Sequence, residues 1–180
     1  MDPALIRRAQ TGDVDAFTAL VAGRIEPMQR TAMAILGREA DANDAVAQTL
    51  ESVWRELPRL RDATAFDAWS TRILVHACRK LLRRRGASSI RELTLSHSTD
   101  ADPPGSAWTS PSAETVLARI ALERAFERLG PDERTILVLH HLDGHGLAEI
   151  ASILGVPVGT AKSRLFAARR ALERALERER

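Results

Sequence analysis

The chain has 180 residues, a formal net charge of only +2, 44% apolar residues and 4% aromatic ones, with no Tyr. That length permits one domain or two small ones, and cores restricted to Leu, Ala, Ile and Val favour helices over sheets. The single cysteine, Cys78, excludes an internal disulfide and a Cys-rich zinc site. No apolar run reaches the roughly 18 residues of a membrane span, and the N-terminus lacks a signal peptide's core. The expectation is a cytoplasmic, all-α protein.

Two helical blocks flank a polar segment. In the first, residues 1–85, Gly12 and Asp13 open a helix in which Ala16, Phe17, Leu20 and Val21 repeat at helical spacing. Pro27 inside this run predicts a kink or break near Glu26, and Gly37 predicts its end. Asp41, Asn43 and Asp44 predict the start of the next helix, with acids in its first turn; it runs to about Leu57, with Pro58 beyond. Ala63 to Arg84 reads as one long helix that stops at Arg85 and Gly86. Cys78 sits in its apolar pattern as a structural thiol. Residues 86–112, with Pro103, Pro104 and Gly105, read as a flexible linker in which Ile90, Leu93 and Leu95 could dock locally, and Trp108 is unusual there.

The second block, residues 113–180, predicts helices over about 113–129, 131–141, 147–154 and 158–178. Pro131 takes the first helical position, with Asp132 and Glu133 in the first turn. The last two helices form a helix-turn-helix. Ile150, Ala151 and Leu154 make the buried stripe of the first. Gly155 suits a left-handed cap, and Pro157 cannot continue a helix. On the second, Val158, Ala161, Leu165, Ala168 and Leu172 share one face, and Lys162, Ser163, Phe166, Arg169 and Arg170 fall on the others. Thr160 sits in the first turn, where N–H groups and a hydroxyl hold a phosphate.

Charge is uneven. Between Thr71 and Arg91 there are seven Lys or Arg and no acid, whereas residues 92–114 hold four acids and no Lys or Arg. A basic tract beside a separate basic helix suggests two contacts with a polyanion. His140, His141 and His145 lack a Cys nearby, and Gly144 and Gly146 break the helix that would align them, so no metal is expected. No nucleophile–base set or phosphate loop stands out. The chain reads as neither an enzyme nor a cofactor protein.

With both blocks in view, the chain resembles the extracytoplasmic-function sigma factors of bacterial RNA polymerase. Residues 12–20 look like the first conserved helix of that family, and residues 41–46 with Trp54 like its polymerase-binding helix. Phe66 to Trp69, Arg72 and Ile73, and on to Arg83–Arg85, look like its promoter-melting helix. Residues 129–134, 149–151 and 159–165 look like its C-terminal domain. The resemblance implies a −10 and polymerase domain over 1–85, a linker over 86–112, and a −35 domain over 113–180. It implies as partners promoter DNA, core polymerase (the clamp helices of the largest subunit, and the flap) and an anti-sigma factor, with no membrane insertion.

Residue chemistry fits that division. Lys162 and Arg169 suit guanine O6 and N7, Ser163 suits several bases, Phe166 suits a thymine methyl, and Arg164 and Arg170 suit phosphates. Opened strands bind aromatic platforms beside cations. Phe66 and Trp69 supply the rings, and Arg72, Arg79, Lys80 and Arg83 the track; His76 is the expected donor to an unstacked base. Asp44, Gln48, Glu51 and Arg55 share a face that suits a charged coiled coil on polymerase.

Three positions depart from the family pattern, which commonly has Gln at Ala47, Asn at His76 and Asp at Lys80. Imidazole and amide present different hydrogen-bond patterns, so the −10 base preference is expected to differ. The alternative is a helix-turn-helix regulator that does not load polymerase; it gives no reason for Phe66 and Trp69 before a cationic helix. A protein-only adaptor gives no reason for Lys162 to Arg170.

Overall fold

Short helix-capping signals set the first block. The computed structural model describes residues 3–89 and 113–179, with side chains over 3–85 and 116–179. Helix α1 spans Pro3–Gln10 and α2 spans Val14–Leu36. The Asp13 carboxylate caps α2 by accepting the Ala16 N–H at 2.9 Å and also binds the Arg8 guanidinium at 2.7 Å. Those two donors hold its carboxyl below the usual range, the backbone bond first. Gly37, at φ +71°, ends α2 in a left-handed cap and donates to the Met33 carbonyl.

Pro27 does not break α2, contrary to the sequence expectation. Apolar burial continues on both sides of it, through Leu20 and Val21 before and Met28, Ala32 and Ile35 after. Tertiary packing thus holds a helix that local preference would interrupt. Pro27 still lacks the donor that would reach Gly23. Pro27→Ala is therefore expected to raise stability by up to about 3 kcal/mol, read as a higher midpoint of chemical unfolding. An unchanged or lowered midpoint would mean that the ring itself contributes packing of equal worth.

Helix α3 spans Glu39–Glu56. It starts two residues before Asp41, with Arg38 as an N-cap that makes no side-chain bond. Two 3-10 turns, Leu57–Arg59 and Ala63–Ala65, lead into α4, Phe66–Ser89. Helix α4 passes through Gly86 rather than stopping there. Arg85, expected at the helix end, turns inward, pairs with Asp41 of α3 and donates to the Leu36 carbonyl at 3.2 Å. Of the flexible linker expected over 86–112, residues 86–89 belong to α4, and the rest, with the readings of Ile90, Leu93, Leu95 and Trp108, lies outside the described residues.

The second block contains α5 (Ala113–Glu127), α6 (Pro131–Leu137), α7 (Leu147–Leu154) and α8 (Val158–Glu177). Pro131 opens α6, and the Glu133 carboxylate accepts the Gly130 N–H at 2.8 Å. Arg134 reaches back to the Glu127 and Leu129 carbonyls at 2.8 and 3.1 Å, satisfying acceptors at the end of α5. A π-helical turn, Val138–Leu142, extends α6. Sequence periodicity had merged the two into one helix.

The blocks pack on one another. Val75 of α4, 2% exposed, belongs to the cluster of Ile136, Leu139, Ile150, Ile153 and Leu165. Val138, 3% exposed, belongs to the cluster of Ala32, Ile35, Val46, Leu74 and Cys78. Burial pushes the Cys78 thiol up to about 12, so it stays protonated and inert at neutral pH. Thr31 of α2 donates to the Asp143 carboxylate at 2.8 Å, and Arg79 of α4 pairs with Asp132 of α6 at 2.7 Å. Burial pushes the Asp143 carboxyl above the usual range, against the pull of Thr31, His145 and Arg30.

Candidate nucleic-acid interface

Helix α7 is held by a small number of local bonds. Gly146 donates to the Glu149 carboxylate at 2.9 Å at its start. Gly155, at φ +66°, turns the chain at its end, and Val156 donates to the Ala151 carbonyl at 3.0 Å. Any side chain at position 155 would be strained by that backbone. The turn delivers α8 with Ala161, Leu165, Ala168 and Ala175 buried. Small residues at 161 and 168 let α8 lie close against α6 and α7.

The opposite face of α8 is open. Lys162, Ser163, Phe166 and Arg170 are exposed and lie on neighbouring turns. Phe166 is 64% exposed, and the Arg170 guanidinium sits over its ring at 5.9 Å from the centroid. Thr160 and Arg164 are half-buried at the other border, where the Thr160 carbonyl accepts the Ser163 hydroxyl at 3.0 Å. Arg169 stands apart: its Nε faces His141 Nε2 at 3.3 Å across the helix edge. Desolvation, His140 and the Arg169 cation hold the His141 imidazole below its usual range, which keeps it a neutral acceptor. The other two histidines point to backbone and acid, His140 Nδ1 to the His145 carbonyl at 3.1 Å and His145 to Glu149 at 3.6 Å. Among the described residues no group of His, Cys, Asp and Glu is arranged to hold a metal ion.

Helix α4 carries the second cationic surface. Trp69, Arg72, His76, Arg79 and Lys80 line a cleft of about 530 Å³ between α3, α4 and α7. Arg72, His76, Lys80 and Arg83 are exposed, and Trp69 is half-buried with its ring 5.9 Å from that of Phe66. Phe66 corrects the sequence reading. It is 0% exposed and packs with Ile6, Ala9, Leu20, Val53 and Leu57. With its ring inside the core it offers no platform to a base; Trp69 is the aromatic that reaches the cleft.

On α3, Asp44, Glu51 and Arg55 are exposed and Gln48 half-buried, all on one face. Arg55 lies 3.6 Å from both Glu51 and Glu56, and Gln48 and Arg55 also line the cleft. Ala47 is exposed beside them. Sequence reasoning missed Ser52, Glu56 and Ile73 in the cleft, and missed Asp132 as the partner of Arg79. Only the spacing of Ser52, one helical turn from both Gln48 and Arg55, and of Glu56, one turn beyond Ser52, could have suggested any of them.

Residues 25–88 match the family model of sigma-70 region 2, and residues 119–172 match that of sigma-70 region 4. The ECF RNA polymerase sigma-E factor of Haemophilus influenzae is 30% identical, over 98% of this chain and 95% of its own. That of Escherichia coli K12 is also 30% identical, over 96% of this chain and 92% of its own. The fold is similar to that of the sigma factor RpoE from Bartonella quintana, solved with the anti-sigma factor NepR: TM-score 0.72, 23% identity, 93% of this chain and 100% of that one. It is similar too to CnrH, solved with the cytosolic domain of CnrY, at TM-score 0.69 and 24% identity over 99% of each chain. Among the described residues no helix is long and apolar enough to cross a membrane. Two matched sigma regions in the expected order, and end-to-end likeness to sigma-E factors, mean that this chain belongs to the ECF sigma factors of RNA polymerase.

Proposed function

We propose that this sigma factor divides promoter reading between its two blocks, −10 and polymerase contacts over 1–85 and −35 contacts over 113–180, joined through 86–112. The observation that carries the reading is the open face of α8, where an aromatic ring is left 64% exposed among cations. A solvated structural face has no use for such a ring, whereas a major groove offers it thymine methyls. Lys162 and Ser163 then donate to base edges, and Thr160, Arg164 and Arg170 hold phosphates. Arg169, leaning to His141, serves the border of the groove and reaches a base only by leaving that partner.

On α4, Trp69 forms the wall against which an unstacked −10 base rests, with His76 as donor on its edge and Arg72, Arg79, Lys80 and Arg83 as the phosphate track. Melting then needs no nucleotide hydrolysis, because binding to the displaced strand supplies the free energy. Asp44, Gln48, Glu51 and Arg55 meet the clamp helices of the polymerase, and the flap receives the second block. The action is non-enzymatic and cytoplasmic, and the likeness to a sigma factor solved with the anti-sigma factor NepR supports regulation by a protein of that kind.

Transcription in vitro tests the reading. Core polymerase with this protein added is expected to initiate from a cognate promoter selected from a randomised library, and core polymerase alone is not. Tight duplex binding by the free protein as a dimer, with no complex with core polymerase, would instead identify a regulator that does not load polymerase.

A further inference from the structure

Among the basic residues of α8 assigned to the groove, Arg169 is turned toward another element. Its Nε donates to Nε2 of His141 at 3.3 Å, from α8 to the π-helical turn Val138–Leu142. Arg169 lies one turn beyond Phe166, so its stem stands at the border of the open face. A guanidinium only donates, so the contact needs an unprotonated Nε2. Imidazolium would set two cations, both donors, against one another.

The groups around the pair leave that conflict standing. The His140 ring meets the His141 ring edge-on at 4.8 Å, and its Nδ1 lies 3.1 Å from the His145 carbonyl. His145 faces Glu149 of α7 at 3.6 Å, and that carboxylate also accepts the Gly146 N–H. Asp143 accepts the Thr31 hydroxyl of α2 at 2.8 Å, with Arg30 of α2 acting on it at longer range. Glu173 of α8 lines the same groove as His141 and Arg169, to which α5 presents only Leu122 and Phe126. Desolvation first, then His140 and the Arg169 cation, hold the His141 imidazole below its usual range. The pair is therefore intact at neutral pH and is lost as pH falls. When Arg169 leaves for DNA, the imidazole regains its usual range, so binding through Arg169 takes up a proton and strengthens with acid.

We propose that His141 is a positioning residue that sets −35 specificity through Arg169: neutral, it holds Arg169 off the groove, and protonated, it releases Arg169 to donate to guanine O6 and N7 at one further base position. The proposal rests on the assignment of α8 to the −35 duplex. It gives a histidine that holds no metal and touches no base a part in base choice.

The test measures binding of the full chain to −35 duplexes varied one position at a time, at one salt concentration because phosphate contacts depend on it. As pH falls from about 8 to about 5.5, the parent is expected to gain a preference for guanine at one position, about three- to tenfold, the size of one hydrogen bond. His141→Gln keeps an acceptor that does not titrate and should lack this gain at every pH. His76, His140 and His145 remain in that variant, so their own effects persist and are subtracted. His141→Arg sets a permanent cation beside Arg169 and should show the preference at every pH. Arg169→Ala should abolish it both in the parent and in His141→Arg. A gain that persists in His141→Gln would overturn the proposal. So would a His141→Arg protein that binds every duplex more tightly with unchanged preference, since the added charge then acts on phosphates alone. Capture of the freed Arg169 by Glu173 would also overturn it, and appears as a preference gained only once Glu173→Gln is added. If Lys162→Ala alters preference while the Arg169 variants do not, the proposal alone falls. If neither alters preference at any position, the assignment of α8 to base reading falls with it.

Discussion

Phe66→Ala is expected to lower the stability of the protein by about 3–5 kcal/mol. The ring is fully buried where α1, α2 and α3 converge on the start of α4, among Ile6, Ala9, Ala16, Leu20, Val53 and Leu57. Removing it leaves a cavity whose walls belong to four separate helices. These cannot collapse together without disturbing the 3-10 turn that feeds α4. A domain of this size has about 5–15 kcal/mol in total, so the loss is a large share. It appears as a drop in the midpoint of urea unfolding. Trp69→Ala, at a half-buried ring, costs less stability while removing a wall of the cleft, worth about 1–3 kcal/mol of strand binding if a base stacks there. The pair therefore separates packing from recognition. A Phe66→Ala protein as stable as the parent but unable to open promoters would place the ring on a base and contradict its buried position.

The helices were legible where a single residue type has one physical use. Asp13 as N-cap, Gly37 and Gly155 as left-handed caps and Pro131 at the first position of a helix all act within one turn of the chain. Pro27 and Gly86 were misleading for the opposite reason. Each weakens a helix locally, yet α2 and α4 continue through them. For Pro27 the continued burial on either side, from Leu20 to Met28 and Ile35, outweighs the local cost. The π-helical turn at Val138–Leu142 carries no periodic signature over so few residues. It is fixed instead by the bonds from Asp143 to Val138 and from His145 to Leu139.

The candidate site divides in the same way. The face of α8 follows from helical spacing alone, because Ala161, Leu165 and Ala168 must be buried and the cations must then lie opposite. Phe66 does not follow from spacing. An aromatic at a loop–helix junction beside basic residues has the same sequence pattern whether its ring points to a base or to a core; the 3-10 turn at Ala63–Ala65 and the position of α1 decide. Contacts between the blocks were least legible. Thr31 and Asp143 are 112 positions apart, and nothing in their neighbourhoods marks them as partners.

Substitutions on α8 are expected to redirect promoter choice without loss of fold. Lys162 and Phe166 are one turn apart on the open face, and neither belongs to a core cluster. Surface changes of this kind stay within about 0.5 kcal/mol of parental stability. Lys162→Ala removes a donor to guanine and should cost about 1–3 kcal/mol at one −35 position, with other positions unaffected. Phe166→Ala removes an apolar contact, so its loss should fall on promoters with thymine at a neighbouring position and vanish when that thymine is replaced by uracil, which lacks the methyl. Arg170 loses the ring under its guanidinium in the same variant, which adds a small, sequence-independent weakening through a less well-placed phosphate contact. The measurement is binding or initiation across a promoter library randomised over the −35 element, at one fixed salt concentration because phosphate contacts depend on it. A uniform weakening across all library members in Lys162→Ala would reassign Lys162 to a phosphate. Indifference of Phe166→Ala to the thymine methyl would leave the exposed ring as a platform for Arg170 alone.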